Sequence, residues 1–137
     1  MSISLSAGSQ GSRPFVDGEL QGTRQSRPIT RPVRWLVDTG SDLSIVRWST
    51  STSFDWTTNK VGQVSYGTAG GPAIAWHAGP SVVLPSATGP LSHRHWMGVK
   101  PNDIGSDLIG ETLLRDFAQR WGLTMRWDAF NLTGSIG

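Results

Sequence analysis

The chain has no cysteine, which excludes a disulfide framework and a thiolate-ligated metal site but leaves the cellular compartment open. No apolar run approaches the ~18 residues that a membrane-spanning helix needs. Residues 1–12 lack the basic start and apolar stretch of a secretion signal, so nothing in the sequence addresses the chain for export. Lysine occurs only at Lys60 and Lys100, and glutamate only at Glu19 and Glu111. The 12 basic and 10 acidic residues leave a net charge of +2, too mild for the electrostatic footprint of a nucleic-acid-binding protein. No internal repeat is visible, which argues against a solenoid or a duplicated domain.

What is present fits one compact domain. At 137 residues the chain supports a single core. Its 36% hydrophobic fraction, taken with 17 glycines, reaches the apolar share of an ordinary globular protein and excludes disorder over most of the length. Residues 1–13 are rich in serine and glycine and read as a flexible tail, which leaves 14–137 as the folded domain. Short β-type runs follow at 15–20, 33–37, 43–48, 61–66, 73–76, 81–84 and 93–99, separated by Gly, Pro, Asn and Ser. Such a series predicts an all-β, barrel-like fold. Leu113, Leu114, Phe117, Ala118 and Trp121 recur at helical spacing before Gly122 and predict a single helix over 111–121. Runs at 123–127 and 131–136 predict a closing hairpin.

Chemistry concentrates in Trp35-Leu36-Val37-Asp38-Thr39-Gly40-Ser41-Asp42-Leu43-Ser44-Ile45-Val46. Here a carboxylate sits in a polar turn between two apolar strands, aimed out of a core edge. Gly40 permits a sharp turn with its N–H near the carboxylate, and the Thr39 and Ser41 hydroxyls are placed to orient neighbouring groups. A bare Asp-Thr-Gly is most often an ordinary hairpin turn, and the flanks are what change that reading.

With apolar residues on both sides, the stretch resembles the active-site signature of the aspartic proteases. Asp107-Leu108-Ile109-Gly110-Glu111-Thr112-Leu113-Leu114 resembles the family's second hydrophobic-hydrophobic-Gly element, which leads into a helix beneath the catalytic loop. Between them, Tyr66-Gly67-Thr68-Ala69-Gly70-Gly71 is similar to the tip of the flap that covers the substrate. Only one Asp-Thr-Gly occurs, so the resemblance is to the short, retropepsin-like class. It implies a closed barrel-like fold with one short C-terminal helix, Asp38, Thr39 and Gly40 as catalytic residues, and Ser41, Asp42, Tyr66, Gly67, Thr68, Ala69 and Gly70 as substrate-binding residues.

One carboxylate cannot both accept a proton from water and donate one to the scissile carbonyl. Two carboxylates about 3 Å apart share a proton and divide the two roles. A chain with one such aspartate therefore needs a second copy, giving a homodimer in which Asp38 meets its symmetry mate. The resemblance adds a cross-axis bond from Thr39 and chain termini interleaved in a shared sheet, for which 15–20 and the C-terminal hairpin are the candidate strands. The partners expected are a peptide or protein substrate and a second copy of the chain, with no metal and no other cofactor.

Three features carry specific expectations. A Ser41 hydroxyl donating to Asp38 favours the ionised carboxylate and predicts an acidic optimum. Retroviral members often place Arg after the second-element Gly, paired with the acid corresponding to Asp42. Here Glu111 stands there, so either Arg115 or Arg47 substitutes as the partner or the subsites at the substrate ends differ from the viral ones. Residues 50–60, with Phe54 and Trp56, have no counterpart and read as a surface loop rather than an extension of the substrate wall.

Other readings are weaker. His93 and His95 share a strand face, and His77 is a conceivable third metal ligand, but no further ligand cluster follows. Five of the seven tryptophans lie within the apolar β-type runs, where core burial explains them better than a stacking groove for single-stranded nucleic acid. The glycines at 67–71 lack the Gly-Lys-Ser/Thr that completes a phosphate loop. The rival of a different class is a catalytically silent retropepsin-like module that dimerises or binds peptide.

Overall fold

In a computed structural model, the described residues are 3–7, 13–38, 41, 43–55, 60–62, 75–77, 81–86, 89–94, 97–100, 102–122, 124–128 and 133–136. The fold is mostly β. In chain order the elements are β1 (Ile3–Ala7), β2 (Pro14–Arg24), β3 (Arg27–Val37), β4 (Ile45–Val46), α1 (Trp48–Ser51), β5 (Lys60–Gly62) and β6 (Ala75–His77). They continue with β7 (Ser81–Ser86), β8 (Gly89–Arg94), β9 (Met97–Val99), β10 (Asp107–Ile109), α2 (Glu111–Trp121), β11 (Met125–Asp128) and β12 (Thr133–Ile136). No helix among the described residues is long and apolar enough to cross a membrane.

The strands form one curled sheet in the order β11-β12-β1-β2-β3-β10-β4-β9-β6-β5, and β7 pairs with β2 and β8 beside that path. Among the described residues the path runs from β11 to β5, and the sheet curls into a half-barrel, in keeping with the expected mostly β, barrel-like fold. The main core holds Val16, Leu20, Val33, Trp35, Val37, Val82, Leu84, Met97, Ile109, Leu113 and Phe117 among others. The helix covers it with Leu113 and Phe117, spaced four apart on one face. Gly122 ends that helix at φ 65°, its N–H donating to Ala118 O, because only a residue without Cβ takes the left-handed conformation at no cost.

The 15–20 and 33–37 runs belong to a longer antiparallel ribbon, paired from Phe15↔Leu36 to Arg24↔Arg27. Gln25 and Ser26 turn it with φ values of 51° and 63°, the double positive φ of a two-residue type I′ hairpin. Pro28 and Pro32 are accommodated because β10 pairs with β3 only from Trp35 to Val37. The outer half of β3 has a free edge on that side among the described residues, where a missing N–H removes no ladder bond.

Several expectations are corrected. The presumed tail contains β1, paired with β12 through Ile3↔Ile136 to Ser6↔Thr133 and with β2 through Ser6↔Phe15 and Ala7↔Pro14. The 43–48 run gives only the short β4 before the chain turns into α1, so the described residues hold two helices and not the single one expected. The 93–99 run splits, since β8 pairs with β7 while β9 joins β4 and β6. The first part of the 50–60 loop is not a surface feature: Phe54 is buried in the main core. A Cβ on Gly22 would meet the Phe54 ring at 2.6 Å, so glycine is what leaves room for this ring against the ribbon. Asp55 fastens the same segment to the turn by accepting from Gln25 N at 2.7 Å. Trp48, by contrast, is exposed rather than in the core.

The start of α1 is held from outside. Ser49 N donates to Asp103 Oδ1 at 2.8 Å, and the hydrogen bonds from the Ser49 backbone and side chain set the Asp103 carboxyl below its ordinary range, with Arg47 adding to the effect. A depressed carboxyl pKa contributes stability above the ordinary carboxylate range and loses it as pH falls through the folded value. Asp103→Asn is therefore expected to lower stability at neutral pH, with the difference closing in acid. Thermal unfolding of both chains from neutral to strongly acidic pH reads this directly.

Candidate functional site

The topology around Asp38 follows from the placement of β10. That strand lies between β3 and β4, parallel to the first through Asp107↔Trp35 to Ile109↔Val37 and antiparallel to the second through Leu108↔Ile45. The segment joining β3 to β4 must therefore pass over the C-terminal end of β10. Asp38 stands at the beginning of that crossing, where β3 leaves the core.

Backbone and side-chain bonds lace the crossing to the junction of β10 and α2. Asp38 N donates to Ile109 O at 3.0 Å, Ser41 N to Asp38 O at 3.2 Å, and Glu111 N to Ser41 O at 2.6 Å. Gly110 N donates to Ser44 Oγ at 2.9 Å. Ser44 is buried, so its hydroxyl serves the framework and not a ligand.

Gly110 is required by space rather than by conformation, since its φ of −89° suits any residue. A Cβ there would run into the Leu43 carbonyl and lie 2.7 Å from Ser41 O. Both obstacles are backbone and cannot swing aside. Gly110→Ala is expected to destabilise the protein by about 1–3 kcal/mol and to displace the segment that carries Asp38. Urea unfolding checks the first effect, and an equal loss of stability on adding Gly110→Ala to the unaltered chain and to Asp38→Asn shows that it does not pass through the carboxylate.

The Asp38 side chain is 24% exposed, and its Oδ2 lies 2.9 Å from a guanidinium nitrogen of Arg13. Strand register explains this pair, because Phe15 faces Leu36 and two further steps set Arg13 opposite Asp38. Side chains on this face alternate with the core-facing Val16, Trp35 and Val37. Beside Asp38 they form a second apolar cluster of Leu36, Ile45 and Leu108 with Phe15 packed against it. Arg34 covers the Phe15 ring at 5.4 Å from its centroid.

Not every expected contact is made. The Ser41 hydroxyl donates to Leu43 O at 2.8 Å, so its one proton is not on Asp38 and the acidic optimum loses its geometric basis. Arg115 pairs with Glu111 at 2.6 Å, one helical turn away, and Arg47 pairs with Asp107 at 3.4 Å; each of the two arginines suggested for Asp42 is engaged by another acid. Thr39, Gly40 and Asp42 lie outside the described residues, as do Tyr66, Gly67, Thr68, Ala69 and Gly70. The strands flanking that expected flap are described: β5 and β6 pair antiparallel with a register shift between Lys60 and Gly62.

His93 packs against α2, with Nε2 3.4 Å from Asp116 and its ring centroid 5.7 Å from that of Phe117. It joins strand to helix. His95 and the side chain of His77 are outside the described residues, and no cluster of metal-binding side chains occurs among those described. Sequence reading missed Arg13 entirely; the signal that finds it is the register of the β2–β3 ribbon.

No family model and no curated protein matches the sequence. Among solved structures, a retropepsin-like aspartic protease from Rickettsia conorii aligns with a TM-score of 0.64 at 18% identity, covering 99% of this chain and 89% of that one. An EIAV protease complexed with the inhibitor HBY-793 aligns at a TM-score of 0.43 and 18% identity, covering 85% of this chain and 94% of that chain. With the crossing segment of Asp38 laid over β10 and the helix following Gly110, this chain has the fold of the retropepsin-like aspartic proteases.

Proposed function

We propose that the chain is an aspartic endopeptidase that hydrolyses peptide bonds as a homodimer. The observation that carries this reading is the placement of Asp38: a half-buried carboxylate at the mouth of a crossing segment tied to the framework on both sides, in a chain with a single Asp-Thr-Gly. Two such carboxylates brought across a two-fold axis share one proton. The ionised one takes a proton from water, the protonated one donates to the carbonyl oxygen of the scissile bond, and the water oxygen adds to the carbonyl carbon. Collapse of that adduct breaks the C–N bond as a proton passes to the leaving nitrogen. Gly40 N–H would steady the water and Thr39 would bond across the axis. The hairpin built on β5 and β6, with Tyr66 and the glycines at 67–71, would close over an extended peptide by strand-like hydrogen bonding. Ser41 enters this reading through its backbone, which holds the crossing segment, and Asp42 through the ends of the substrate.

A silent peptide-binding or dimerising module is the second reading, favoured by one observation, the guanidinium already on Asp38. A mixed peptide pool incubated from about pH 4 to 7 with the chain and with Asp38→Asn separates the two. Cleavage that disappears in the variant and falls faster than linearly on dilution supports the dimeric protease. Cleavage that survives the substitution, or none from a chain shown to be dimeric, overturns it.

A further inference from the structure

The N-terminal stretch does two things at once. Its strand β1 fills the space between β12 and β2 of the same chain, and Arg13, just before β2, reaches the Asp38 carboxylate. We propose that Arg13 is an intramolecular latch, holding the carboxylate of a lone chain and competing with a second copy for it. The inference rests on the dimeric protease reading and adds a control to it.

The competition is chemical. Sharing one proton between two Asp38 side chains requires that their facing oxygens approach to about 3 Å with no cation between them. Arg13 stands at that distance from Oδ2 already, so it must withdraw before the second carboxylate arrives. Register gives the contact its specificity: β2 and β3 are paired continuously from Phe15↔Leu36, which fixes where the arginine starts, while its 59% exposed side chain has solvent to swing into. The pair is weak enough to open, because exposed ion pairs contribute little and are screened by salt. A dimer needs two such contacts broken. At the usual strength of an exposed pair, removing both favours association by about 2- to 30-fold.

The test is self-association by sedimentation equilibrium, which does not depend on whether cleavage is observed. Four chains are compared: unaltered, Arg13→Gln, Asp38→Asn, and the double variant. Arg13→Gln is expected to tighten the dimer about 2- to 30-fold when Asp38 is present and to leave it unchanged in the Asp38→Asn background. Arg13→Lys, which keeps the charge, should behave as the unaltered chain, and added NaCl should tighten the unaltered dimer more than that of Arg13→Gln. An unchanged or weaker dimer in Arg13→Gln, equal tightening in both backgrounds, or a chain that stays monomeric with and without Arg13 overturns the latch. The protease reading has its own separate failure, cleavage that persists in Asp38→Asn.

Discussion

Asp38→Asn is expected to lower kcat/KM on any cleaved peptide by about 10²- to 10⁴-fold, the range that a positioned acid or base contributes. Stability should move by no more than about 0.5 kcal/mol, because the side chain is solvent-accessible and its Arg13 partner is exposed. The amide keeps the shape of the carboxylate and loses its basicity, so a folded, inactive chain isolates chemistry from structure. Mixing gives a sharper result. If two Asp38 residues make one site, a chain carrying Asp38→Asn that assorts freely is a poison subunit. An equal amount should reduce activity per unaltered chain to about half, and a ninefold excess to about a tenth. Activity that simply follows the amount of unaltered chain, whatever is added, would mean that each chain works alone, and the requirement for a pair of carboxylates would then fail.

How much of this was legible in the sequence depended on how local the signal was. The helix Glu111–Trp121 was readable to the residue because its apolar spacing and its terminal glycine both lie within the segment itself. The β2–β3 ribbon was only half legible. Pro28 and Pro32 argue against a strand until one knows that β3 has an open edge there, and Gln25-Ser26 carries no Asn-Gly or Asp-Gly signal for a type I′ turn. Once that turn is placed, paired positions sum to 51, and the same arithmetic joins Arg13 to Asp38. The strand at Ile3–Ala7 shows a plain alternation of apolar residue and serine, which the glycine- and serine-rich composition around it concealed. No reading of 93–99 alone could show that the chain exchanges partners between β8 and β9, since a continuous run looks the same on one neighbour or two. Ser41 failed for a related reason: adjacency pointed to Asp38, whereas a hydroxyl near a turn bonds readily to the backbone two residues on.

Asp107→Ala is expected to destabilise the protein by about 3–5 kcal/mol, the cost of removing one member of a buried charged group. Asp107 is 3% exposed. It accepts from Arg47 N at 2.8 Å, from Thr50 Oγ1 at 2.8 and 3.0 Å, and from the Arg47 guanidinium at 3.4 Å. Lys100 is buried near it, its Nζ donating to Ile104 O at 2.8 Å. Burial holds the Lys100 ammonium below its ordinary pKa of 10.5, with Asp107 opposing that shift and Arg47 reinforcing it. Alanine would strand the Thr50 hydroxyl and the Arg47 amide and leave two cations without their shared anion. Asp107→Asn, which preserves most of the shape, should cost less, about 1–3 kcal/mol. The pH dependence has a definite sign. A lysine whose folded pKa is lowered binds its proton more tightly when unfolded, so stability rises as pH climbs from the folded value toward 10.5. Without Asp107 the depression deepens, and the deficit of Asp107→Ala should shrink between neutral pH and the ordinary lysine range. Urea unfolding across that interval measures it, and a deficit independent of pH would remove Lys100 from the explanation. The consequence reaches the candidate site along β10. Asp107 is paired with Trp35, and two residues further on Ile109 receives the backbone N–H of Asp38, so the buried anion anchors the strand over which the crossing segment of Asp38 is laid.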